Sequence, residues 1–268
     1  MATTTTTTFV LLIMLCFLAA ATAGGAVQFR VVDTIQDEES GRNFDATIGA
    51  ELAGRVLVDA THMAWTTLGQ AAATDRKNIS FRYNKLQLSP KKLVAKSGCS
   101  RRHVCVDMAD YQMFVTLSVE GYLHRGTFTK HGTIHLGGGY GRDIYNGPET
   151  FDKEEVLGIL YREVTTIWLF NGNGQADKGL LGGIAELVQM KSGHTPARWA
   201  KAGDGAYWNE QTPGVTAQFL QYCETRHPGF VASLGRKMKT GYNEHFFTEI
   251  TGETVNQLWK EYKAAHKN

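Results

Sequence analysis

The sequence predicts an α+β domain: a small antiparallel or mixed sheet, one central helix, and a mostly helical C-terminal half. Three observations carry this. The runs ISFRYNKLQL, YQMFVTLSVE and TIHL, between residues 79 and 136, alternate or are rich in β-formers. Further on, Val156, Ile159, Leu160, Val164, Ile167 and Trp168 recur at spacings of three and four, which marks one buried helix face. After Asn171-Gly172-Asn173-Gly174, a strong breaker, the pattern stays helical almost to the C-terminus.

Length and composition fit one ordinary globular domain. The chain has 268 residues, 43% hydrophobic and 20% charged, which supplies a sizeable core and argues against disorder. A net charge of +2 is too small to point to nucleic acid. Residues 1–23 read as a secretory signal, with the apolar run FVLLIMLCFLAAA before the small-residue site Ala21-Thr22-Ala23. That run is short for a membrane span and no later segment reaches about 18 apolar residues, so a secreted protein without a membrane anchor is expected over residues 24–268.

From Ala46 to Leu68, Ile48, Leu52, Val56, Ala60, Met63 and Ala64 predict one long helix closed by Gly69, with His62 at its surface or core edge. Cys16 leaves with the leader, so Cys99, Cys105 and Cys223 remain and at least one is unpaired or bridges to another chain. Cys99 and Cys105 flank the basic loop SRRHV and are candidate disulfide partners. Cys223 lies in an apolar helical run and reads as an inert buried thiol. Asn78-Ile79-Ser80 is a candidate glycosylation sequon.

His131 and His135, with His124 nearby, invite a metal reading. On one strand they would share a face about 13 Å apart, too far for a single zinc. The run Gly137-Gly138-Gly139-Tyr140-Gly141 lacks the Lys-Ser or Lys-Thr of a phosphate loop and reads as a flexible loop. Helices are expected over Leu180 to Met190, ending at Gly193, then Val215 to Thr225, Pro228 to Lys239, and two short ones containing Phe246-Phe247 and Leu258-Trp259. Trp199, Tyr207 and Trp208 lie in a polar loop, where aromatics either pack the loop onto the core or line a binding groove.

The central helix holds the main anomaly. At 100° per residue, Glu163 falls near the middle of the apolar stripe, Thr166 at its edge and Arg162 just beyond. A carboxylate placed there needs a cation, a metal or several donors. It is either a structural salt bridge with a nearby arginine or the remnant of a zinc-protease helix, H-E-x-x-H, whose histidines have become Arg162 and Thr166.

The run LYREVTTIWLFNGNGQADKGLLGGIAELVQMKSGHTPARW, residues 160–199, resembles the plant basic secretory proteins. The likeness continues through Tyr207 and Trp208 to the C-terminus and reaches back to TIHLGGGY and ATHMAWTTLGQAAATDRKNISF. It implies a zincin-like metallopeptidase fold in which two helix histidines and a later acidic residue hold zinc, and the glutamate between them is general base. Carried over, the histidines fall on Arg162 and Thr166, the base on Glu163, and the two acids of the family's LIEGIAD on Gly182 and Glu186.

Zinc takes three ligands from imidazole, thiolate or carboxylate, plus a water. Arg162 offers no lone pair, Thr166 only a neutral hydroxyl, and Gly182 no side chain. The resemblance therefore implies that the family's zinc is lost here and that Glu163 is vestigial as a base. A guanidinium at Arg162 would then replace the lost positive charge and keep Glu163 and Glu186 paired, and Arg162→Ala would cost several kcal/mol.

Three functions follow as expectations. The first is a secreted, defence-associated protein of the apoplast that no longer cleaves and acts by binding a peptide, protein or cell-wall glycan. The second is an active hydrolase with a displaced site, built from Glu163, Glu186 and a histidine from His194 or the strand region. The third is a carbohydrate- or wall-binding module on the aromatic loop.

Overall fold

The computed structural model describes residues 27–34, 38–70, 113–120, 127–137 and 152–267. The leader with Cys16, the run ISFRYNKLQL, Asn78, Cys99, Cys105, His124 and residues 138–141 of the glycine run lie outside the described residues.

Four strands form one sheet: β1 (Val27–Asp33), β2 (Met113–Glu120), β3 (Thr127–Lys130) and β4 (Thr133–Gly137), in the order β1-β2-β4-β3. The β1–β2 and β2–β4 pairs are parallel and β3–β4 is antiparallel, so of the two expected sheet types the mixed one forms. Strands β1 and β3 are additions to the expected set; β3 has only four residues, too few to show a period.

Alternation divides the sheet into two faces. Val115, Leu117, Val119, Ile134 and Leu136 point inward and are fully buried. The outer face carries two cross-strand rows set by the register: Val32, Ser118, His135 and Phe128 in one, Arg30, Thr116, Thr133 and Lys130 in the other.

Eight α-helices are present among the described residues. The helix expected over Ala46 to Leu68 forms as α2 (Gly49–Thr67), and a further helix, α1 (Glu39–Thr47), precedes it, with Gly49 at a φ of 67° turning the chain between them. Gly69, at φ 61°, closes α2 as expected.

The central helix, α3 (Lys153–Trp168), starts at Asp152, whose side chain accepts the Glu155 N–H at 3.2 Å. At its far end buried Trp168 packs edge-on against Trp65 of α2, with ring centroids 4.9 Å apart, and donates to Thr61. The breaker after it is a pinned turn rather than a slack one. Gly172 N–H donates to Met238 O at 3.2 Å and the Asn173 side chain to Thr240 O at 2.7 Å.

Helix α4 (Lys178–Lys191) is capped by Asp177, which accepts from Gly179 N–H at 2.7 Å, and ends before Gly193. Helices α5 (Val215–Arg226), α6 (Phe230–Lys237), α7 (His245–Thr251) and α8 (Val255–Ala265) complete the C-terminal half. Phe219 on α5 centres an aromatic cluster with Trp208, Phe247, Trp259 and Tyr262. Cys223 is buried beside it, and burial pushes its thiol up to about 12, which makes it unreactive.

Candidate functional site

Glu163 sits in the apolar stripe of α3 and is only 6% exposed. Both of its oxygens are engaged. Oε1 accepts from Arg162 through Nη2 at 2.9 Å and Nε at 3.3 Å, and Oε2 accepts from the Thr129 hydroxyl on β3 at 2.6 Å. Consecutive helical residues point about 100° apart, so only the long arginine stem, curling back along the helix, allows this pairing. The arginine partner that the sequence called for is thus the adjacent residue.

Arg162 is half-buried, with 31% of its side chain exposed against 8% for Glu163. This corrects the expected cost of Arg162→Ala. A partly solvated guanidinium over a carboxylate that keeps a second donor gives a loss of about 1–3 kcal/mol, not several.

The other substituted positions are open. Thr166 is exposed, and its hydroxyl donates back to Arg162 O at 3.2 Å. Gly182 is exposed on α4, and a Cβ added there would have no neighbour within 4 Å. One position therefore holds a cation, one a hydroxyl turned to its own helix, and one no side chain. These residues do not fit zinc.

Glu186, one turn beyond Gly182, is half-buried and accepts the Gly214 N–H at 2.9 Å. Burial raises its carboxyl above the usual range, while Gly214 and the Arg162 guanidinium pull it back down. Arg162 is thus electrostatically linked to both acids.

The histidines considered for a displaced site are not brought together with this pair. His194 hydrogen-bonds Glu154 at 2.7 Å near the start of α3. Nine residues of helix, about 13 Å, separate Glu154 from Glu163. His135 bonds Glu120 at 2.7 Å on the outer face of the sheet, away from Glu163. His131 is in the β3–β4 turn with a φ of 52°, so it does not share a strand with His135. Among the described residues, no three His, Cys, Asp or Glu side chains are grouped to hold a metal.

The aromatic loop divides. Trp208 is buried against Phe219 and Phe247, and Trp199 is half-buried, whereas Tyr207 is 70% exposed. Glu210 fixes the loop by accepting the N–H groups of Ala206 and Tyr207 at 2.7 and 3.3 Å and the Thr212 hydroxyl at 3.1 Å. Those bonds hold its carboxyl below the usual range.

Two partners of the site escape a reading of the sequence. Thr129 lies on a strand too short to show alternation, and Gly214 acts through its backbone N–H, which no side-chain pattern signals.

Fold and site define a mixed α/β protein organised around one helix, whose buried glutamate is held by an internal cation. The chain belongs to the basic secretory protein family: the family model, described as a peptidase of plants and bacteria, matches residues 24–262. It is accordingly a peptidase-like protein. No curated protein and no solved structure matches the chain.

Proposed function

We propose that this protein is a secreted, zincin-like member of its family that has exchanged its metal for an internal arginine and acts by binding rather than cleavage. The observation that carries this is the Arg162–Glu163 pair: the residue at the first zinc-ligand position donates two hydrogen bonds to the residue at the general-base position. Both oxygens of that carboxylate are already taken up by protein donors, and an arginine offers no lone pair with which to hold a metal or act as base. The open space at Gly182 and the outward position of Thr166 add to it, since neither supplies a ligand.

A zincin-like fold is supported by β3, which ends the sheet among the described residues and reaches α3 through Thr129. Residues 1–23 support secretion, and the family resemblance supports a defence-associated role in the plant apoplast.

Digestion of a peptide library, read by mass spectrometry, tests the loss of cleavage. The protein should produce no products above those of Glu163→Gln. Products that vanish in Glu163→Gln or on adding a chelator would show an active metallopeptidase and end the proposal.

A further inference from the structure

We propose that the outer face of the sheet binds an acidic polysaccharide, with Phe128 stacking on a sugar ring and Lys130 meeting its carboxylate. Phe128 is 40% exposed and lies flat on His135, with centroids 4.5 Å apart and planes 13° apart. His135 is in turn fixed by Glu120, which is only 7% exposed. The ring is therefore presented on a braced support rather than a free rotamer, which lowers the ordering cost of binding.

Lys130 is exposed two residues along the same strand, about 6.6 Å from Phe128 and on the same face. Thr133 pairs directly with Lys130, and the row ends at exposed Arg30, about 14 Å across the strands. Glu120, which bonds His135, is the one acid on this face among the described residues. Cations and hydroxyls beside a braced ring suit a sugar that has both an apolar ring face and a carboxylate.

A protein partner fits less well. Among the described side chains of this face, the exposed apolar groups, Val32 and Phe128, stand at opposite ends of one row with Ser118 and His135 between them. A protein interface concentrates its apolar groups at the centre. The inference does not depend on the state of Glu163, whose contact Thr129 points to the inner face.

Affinity electrophoresis of the full chain in gels containing polygalacturonate, with neutral dextran as control, tests this. Retardation by polygalacturonate alone is expected. Phe128→Ala and Lys130→Glu should each weaken it about five- to tenfold, the size of one ring or charge contact, while Lys130→Arg retains it. Lys191→Glu, which makes the same change in net charge at the end of α4, should leave it unchanged. Absence of retardation would overturn the proposal. So would equal losses in Lys191→Glu and Lys130→Glu, which indicate unspecific ion exchange, or a loss produced by Tyr207→Ala, which places the sugar on the aromatic loop.

Discussion

Gly182 and Gly183 are neighbours on α4 with opposite surroundings. A Cβ on Gly183 would stand 2.3 Å from Thr216 Cγ2, and Thr216 is pinned by its bonds to Trp208 O and Glu210 O. A Cβ on Gly182 would meet nothing within 4 Å. One glycine lets α4 and α5 approach; the other faces open space beside Glu186. The packing side of the helix is constrained by its neighbours, and the side that carries Gly182 is not. One side of α4 is therefore closed to substitution while the other stays open to it.

The largest effect should come from closing the packed side. Gly183→Ala should lose about 1–3 kcal/mol in urea unfolding by overpacking against a threonine that cannot move. Gly182→Ala, in contrast, should gain about 0.5–1 kcal/mol, because it relieves the entropic cost of a helical glycine without a clash. Equal effects at the two positions would erase the distinction.

The next prediction concerns the cation. Arg162→Ala should cost about 1–3 kcal/mol by leaving a buried carboxylate with only Thr129, while Arg162→Met combined with Glu163→Met should recover most of that loss. A double variant as weak as the single one would mean that the pair does more than neutralise itself.

A smaller effect is expected from Glu186, whose carboxyl is raised by burial. The folded state then holds its proton more tightly than the unfolded chain. Its contribution is fully present below the ordinary carboxylate range and is lost as pH rises through the raised value. Glu186→Gln should therefore gain on the parent in thermal melts as pH rises across that window, and a constant difference would contradict the assignment. The smallest change is at Cys223: with its thiol pushed up to about 12 by burial, it should escape alkylation at pH 7 until the protein is denatured, as read by peptide mapping.

Much of this was legible in the sequence where a period of 3.6 could act. The stripe on α3 placed Glu163 inside, and the need of a buried acid for a partner pointed to an arginine. The helices from α4 to α8 follow the same logic. What stayed hidden depends on contacts between elements. Thr129 lies on a four-residue strand, Gly214 contributes only backbone, and the need for glycine at 183 comes from α5. The long helix expected from Ala46 formed from Gly49 onward, while the short α1 before it went unread, set off by the positive φ at Gly49. The two histidines read as sharing a face fell on a turn and a strand.

The most direct test of the central claim is metal content by mass spectrometry, on protein purified without a metal-affinity tag, alongside the variant Arg162→His/Thr166→His/Gly182→Glu. The account predicts a metal-free parent and about one zinc per chain in the variant, since all three positions then carry ligands and Gly182 has room for one. Stoichiometric zinc in the parent would contradict it, because the arginine would not be standing in for the metal.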